Sequence, residues 1–142
     1  MTFDPLGDLN WLAVLVAAIA YFALGAAWYA PPVFGRPWAE AGGFSLPEPG
    51  TRPSPAIYFT PLVGSVLSAI ALGMLAAATG TDSFMEGIAL GLVVAIGFAI
   101  PIALVTAQFE TNKPKPMVWG AVNGGYHVVG NLVAAIIIAI WQ

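Results

Sequence analysis

Apolar residues in this chain concentrate in four long uncharged blocks: Leu9 to Ala30, about Ala56 to Thr79, Gly87 to Gln108, and Met117 to Trp141. A helix that crosses a bilayer needs roughly 20 predominantly apolar residues, and each block supplies them. None contains Lys, Arg, Asp or Glu; the four basic and seven acidic residues all lie between or outside the blocks. The pattern predicts an all-α, four-helix transmembrane bundle, read as one membrane domain over residues 1–142. The N-terminal residues Met1-Thr2-Phe3-Asp4-Pro5 carry no basic cluster, so Leu9–Ala30 is expected to be a retained helix and not a cleaved leader.

The connections agree with this division. Seven prolines (Pro31, Pro32, Pro37, Pro47, Pro49, Pro53 and Pro55) fall between the first and second blocks. Pro31-Pro32 stops the first helix, because proline lacks a donor and disfavours helix in the residue before it. Val33–Phe44 combines Phe34, Trp38 and Phe44 with Arg36 and Glu40, the mixture expected of a short interfacial segment. Ser45–Pro55 reads as extended surface chain. Gly80-Thr81-Asp82-Ser83 reads as a tight turn, with Asp82 or Ser83 as a cap and Glu86 favourably placed in the first turn of the third helix. Lys113-Pro114-Lys115-Pro116 separates the third and fourth helices, and Glu110 and Lys113 read as a solvated charge pair.

Basic residues set the expected orientation. Arg36 and Arg52 lie in one loop, Lys113 and Lys115 in another, and the other three segments hold none. Four spans put those two loops on one side, so the positive-inside rule predicts an inner (plasma) membrane protein with both termini away from the cytoplasm. Trp11, Trp28, Tyr29, Tyr58, Trp119 and Trp141 sit near expected helix ends, where amphipathic rings favour the headgroup level.

Within the blocks, small residues recur. The third carries Gly87, Gly91, Ala95, Ala99, Ala103 and Ala107 at every fourth position, the second Ser65, Ala69, Gly73 and Ala77, and the first Ala13, Ala17 and Gly25, interrupted by Tyr21. Helices in lipid associate by close backbone approach, which small residues allow. Gly73, Gly87, Gly91, Ala95, Gly120 and Gly124 are therefore the expected packing residues, inside the protomer or between copies of a homo-oligomer. A row at every fourth residue advances about 40° per step and should wind around its helix.

Polar residues at membrane depth are the candidates for function, since each must find a partner in hydrocarbon. Asn123, His127 and Asn131 share one face of the fourth block, with Tyr126 beside the histidine and Gly120, Gly124 and Gly125 nearby. Three roles fit: hydrogen bonds that fix helix register, a water-accessible polar or proton site, or an axial ligand to a haem- or chlorophyll-type ring at His127, the sole histidine. Pro101, inside the third block, frees a backbone carbonyl and predicts a kink, with a cavity facing His127 as its functional form.

Composition sharpens the functional exclusions. Residues are 59% hydrophobic and 8% charged, against about half and a quarter in soluble domains, which excludes a soluble enzyme and a nucleic-acid binder. There is no cysteine, hence no disulfide or thiolate site. No phosphate loop, HExxH, paired carboxylate or nucleophile elbow appears, so neither catalytic residues nor a metal or other cofactor is expected.

Several stretches carry a family resemblance: Asn10-Trp11-Leu12-Ala13-Val14-Leu15-Val16-Ala17-Ala18, Gly25-Ala26-Ala27-Trp28-Tyr29, Phe34-Gly35-Arg36-Pro37-Trp38, Phe109-Glu110, Lys115-Pro116 and Asn123-Gly124-Gly125-Tyr126-His127. Together they resemble the bacterial membrane family catalogued as domain of unknown function 1761. That resemblance implies a small four-helix membrane protein and assigns no activity. The resulting expectation is a self-associating, non-enzymatic module whose polar site, formed by Asn123, Tyr126, His127 and Asn131, binds or conducts a small solute. The alternative is an accessory subunit of a larger membrane complex, with a pigment or haem at His127.

Overall fold

The computed structural model describes residues 4–48, 50–51 and 53–141; Met1, Thr2, Phe3, Pro49 and Arg52 lie outside the described residues. Its α-helices are α1 (Trp11–Trp28), α2 (Arg36–Gly42), α3 (Phe59–Thr79), α4 (Phe84–Val94), α5 (Ile100–Phe109) and α6 (Pro116–Ile140). Among the described residues there is no strand. Four helical rods are long and apolar enough to cross a membrane: Trp11–Trp28, Pro55–Thr79, Phe84–Phe109 and Pro116–Ile140. The protein is an all-α, multi-pass membrane protein.

Local chemistry explains where each rod ends. Asn10 caps α1, its side-chain oxygen accepting from Ala13 N at 3.1 Å, so the helix starts two residues later than the apolar block. Ser54 caps a 3₁₀ turn, Pro55–Tyr58, that leads into α3. Gly80, at φ 66°, closes α3 in the left-handed region that glycine enters without strain. Ser83, and not Asp82, caps α4: Ser83 Oγ accepts from Glu86 N at 3.4 Å, and the Glu86 carboxylate accepts from Ser83 N at 3.2 Å.

The fourth rod, α6, is the hub. It packs against α1, α2, α3, α4 and α5. Small residues set these approaches. A β-carbon at Gly91 would lie 2.8 Å from Leu132 Cα, and one at Gly87 2.9 Å from Ile136 Cα, so α4 and α6 meet backbone to backbone. Further along, Gly124 faces Ala103 and Gly120 faces Ala107, while Gly73 brings α3 onto Val14 of α1. Ala95 is fully buried. All six expected packing residues are thus buried inside one protomer.

The third rod departs from a simple proline kink. Residues Ala95–Ala99 form a π-helical turn, with Ile100 N–H bonded to Ala95 O, and α5 starts anew with Pro101 in its first turn. The extra residue accommodates the missing donor of Pro101. It also turns the small-residue row back against its drift, so that Gly87, Gly91, Ala103 and Ala107 all contact α6 instead of winding away from it.

Between α1 and α3 the chain makes a second π turn, Pro31–Gly35, and then the short α2. Trp28 stacks on Phe34 at 4.4 Å between ring centroids, and Trp38 lies 4.6 Å from Phe44. The expected Glu110–Lys113 pair forms at 3.3 Å. A second, unexpected pair joins the two basic loops: Lys115 Nζ donates to Glu40, while Lys115 N donates to Ala41 O at 3.1 Å.

The hydrogen bond from Lys115 lowers the Glu40 pKa below the usual carboxylate range. A lowered folded-state pKa stabilises the fold above the unfolded value and loses that stabilisation as pH falls through the folded one. Both side chains are exposed, so the effect is small and screened by salt. Acid titration of wild type and Glu40→Gln should therefore give curves that converge below the carboxylate range and at high salt. Curves that diverge further on acidification would contradict this pairing.

Candidate functional site

The polar face of α6 meets α1 near half-way along both helices, with His127 about 16 Å from the start of α6 at 1.5 Å per residue. Tyr21 is the partner. Its hydroxyl lies 2.9 Å from His127 Nδ1, 3.4 Å from His127 O and 3.3 Å from Asn131 Nδ2. Asn131 Nδ2 also donates to His127 O at 2.7 Å; a carbonyl can only accept, which fixes the amide orientation.

Asn131 fills one lone pair of the Tyr21 hydroxyl. In one tautomer of the neutral ring the hydroxyl donates to its nearest acceptor, Nδ1, and the ring proton sits on Nε2; in the other Nδ1–H donates to the hydroxyl, which turns its proton to His127 O. Among the described residues Nε2 has no hydrogen-bond partner, and the histidine is exposed. A second proton on the ring is also accommodated: the hydroxyl accepts from Nδ1–H and turns its own proton to His127 O.

A second layer sits one to two turns nearer the basic loops. Tyr29 donates to Asn123 Oδ1 at 2.8 Å, and Asn123 Nδ2 donates to Trp119 O at 3.0 Å. Trp28 Nε1 donates to Val122 O at 3.0 Å. Tyr126 donates to Tyr21 O at 3.3 Å, its ring 5.4 Å from that of Tyr21 and 4.8 Å from that of His127. Glycines make room for these rings. Gly130 lies under Tyr21, where a β-carbon would overlap the ring, and Gly125 lies under Trp28 at 3.0 Å.

Two clefts flank the network and share Tyr21, Ser68 and His127. The larger, about 1030 Å³, lies between α1 and α3 and is lined by Tyr29, Trp38, Tyr58 and Tyr126 among others. The smaller, about 480 Å³, lies beside the π turn and is lined by Phe98, Ala99, Ile102, Asn123 and Asn131 among others. Among the described residues, no Lys, Arg, Asp or Glu lines either cleft. Both extend from mid-depth toward the basic loops. The opposite half is closed by Leu72, Ala76, Ala135, Ile138 and Ala139, all buried. At its rim Asn10 Nδ2 donates to Trp141 O at 2.6 Å.

The family model described as "Protein of unknown function (DUF1761)" matches residues 12–139. The chain belongs to the DUF1761 family. No curated protein and no solved structure matches it.

In this DUF1761 protein the four site residues read from sequence lie along one stretch of α6; Asn123, His127 and Asn131 line the smaller cleft, Tyr126 lies beside His127, and each is held by its own hydrogen bonds. His127 and Asn131 share the Tyr21 hydroxyl, Asn123 binds Tyr29, and Tyr126 bonds the α1 backbone. Sequence reasoning missed the α1 partners. Tyr21 was visible only as the residue that breaks a row of small side chains. Trp28 and Tyr29, which their place near a helix end marks as headgroup anchors, both hydrogen-bond inward to α6. The available signal was a tyrosine in mid-span, whose hydroxyl requires a partner in hydrocarbon.

Proposed function

We propose that this DUF1761 protein is a non-enzymatic membrane module that binds a small uncharged molecule beside the Tyr21–His127–Asn131 network. The observation that carries this reading is an imidazole Nε2 left without a protein partner at mid-depth, facing clefts with no charged lining. A network that only fixed register would close on itself. Binding is favoured over conduction because both clefts open toward the basic-loop half, while the other half is packed shut by small residues. We further place the basic loops at the cytoplasmic face of the plasma membrane, following their charge. Self-association has less support, since the expected packing glycines are buried within the protomer. The alternative, an accessory subunit holding a pigment or haem, needs the other tautomer, with the proton on Nδ1 and the Nε2 lone pair free for a metal.

The chain has no cysteine, so single cysteines report without background. In oriented vesicles, Ser68→Cys should react with a membrane-impermeant maleimide from the basic-loop face only. Ala76→Cys should react from neither face. Labelling of Ser68→Cys from both faces would indicate a conduit, and labelling from neither would indicate a sealed structural network; either result overturns the reading.

A further inference from the structure

We infer that the larger cleft holds the ring of a lipid-soluble quinone, with His127 Nε2–H donating to one ring carbonyl. This rests on the binding reading above and names its ligand class. The first argument is charge. An ion taken to mid-depth without a counter-charge is costly, and the cleft offers none, so the ligand is neutral.

The second argument is shape. The cleft wall is a run of rings: Trp38 to Tyr29 at 4.7 Å, Tyr29 to Tyr126 at 5.5 Å and Tyr126 to His127 at 4.8 Å between centroids. Such spacings are those of offset and edge contacts, and a wall of rings suits a flat conjugated guest.

The third argument is polarity. The hydroxyls of Tyr29, Tyr126 and Ser65 all donate within the protein, to Asn123, Tyr21 O and Pro61 O. The cleft holds two N–H groups without acceptors: the indole Nε1–H of Trp38, which is buried and unpaired, and His127 Nε2–H in the tautomer in which Tyr21 donates to Nδ1; among the described residues the hydroxyls of Tyr58, Thr60 and Ser68 on its wall have no hydrogen-bond partner either. What is missing is an acceptor, which a ring carbonyl supplies without bringing a further donor. Finally, the cleft is larger than a single ring, at about 1030 Å³, and its mouth at exposed Ile57, Tyr58 and Gly64 faces outward between α1 and α3. A hydrocarbon tail can leave there into lipid.

The test uses the full chain in lipid nanodiscs and a benzoquinone carrying one isoprenoid unit. Binding is followed through the ¹⁵N resonances of the sole histidine and through tryptophan emission. The expected result is saturable binding that shifts Nε2, with affinity about tenfold weaker in His127→Phe, the effect of one lost hydrogen bond. Gly64→Phe should abolish binding with the fold intact, because a β-carbon there meets nothing within 4 Å. A prenylated benzene without carbonyls should bind about tenfold more weakly for the same reason. Equal binding of benzene and quinone would overturn the quinone assignment and leave the binding reading standing. The same holds if no quinone binds while Ser68→Cys stays reactive from the basic-loop face. A haem band that depends on His127, in place of quinone binding, would overturn the assignment in favour of a metal-centred ring. No binding together with an unreactive Ser68→Cys would remove both readings.

Discussion

Gly130→Ala is expected to destabilise the protein by about 3 kcal/mol, the upper range for overpacking a filled core. The β-carbon would occupy the space of the Tyr21 ring, which is itself 1% exposed and has nowhere to move. Tyr126 blocks one side at 5.4 Å and His127 another at 6.2 Å. Tyr21→Ala alone should cost about as much, through the cavity it leaves. The double variant should cost less than the two single changes added, with a coupling of about 1–3 kcal/mol, because the clash is gone. Gly64→Ala is the control: its β-carbon meets open space, so it should be neutral or slightly stabilising by helix propensity. Thermal unfolding of the four variants in one detergent decides the matter. Additive costs for Gly130→Ala and Tyr21→Ala would show that the ring does not rest on Gly130.

That pair of residues also shows where sequence reading ran out. The four rods were legible because a bilayer imposes length and apolarity on each span independently of the others. Their ends shifted by a few residues where capping chemistry, at Asn10 and at Ser83–Glu86, overrode the edge of the apolar block. The small-residue row of the third rod was legible, but its path was not. Pro101 suggested a kink, whereas a π turn at Ala95–Ala99 absorbs the missing donor and keeps the row on α6.

Polar residues on α6 stood out against an apolar background, so Asn123, His127 and Asn131 were legible as a face. Their partners were not, because pairing depends on which helices become neighbours. Tyr21 and His127 are far apart in the chain, and so are Glu40 and Lys115; no local pattern links either pair. Headgroup anchoring and inward hydrogen bonding both place an aromatic near a helix end, so Trp28 and Tyr29 carried no distinguishing signal.

Tyr21→Phe separates the hydrogen bonds of this residue from its packing. The ring and its fit over Gly130 remain, and only the hydroxyl is lost. His127 Nδ1 then lacks its donor and Asn131 loses one of its two acceptors. The expected cost is about 1–2 kcal/mol, modest because unfolded helices in a membrane also find polar partners. The sharper readout is the ¹⁵N spectrum of the single histidine. In wild type at neutral pH the proton should reside on Nε2, held there by the Tyr21 hydroxyl on Nδ1. In Tyr21→Phe that constraint is gone, and both tautomers should populate. Asn131→Leu should produce a weaker version of the same change, since it frees the hydroxyl to accept as well as donate. A wild-type proton found on Nδ1 would reverse the donor assignment, closing off the donation to a ligand carbonyl. An unchanged spectrum in Tyr21→Phe would mean that the tyrosine packs beside the imidazole without setting its state.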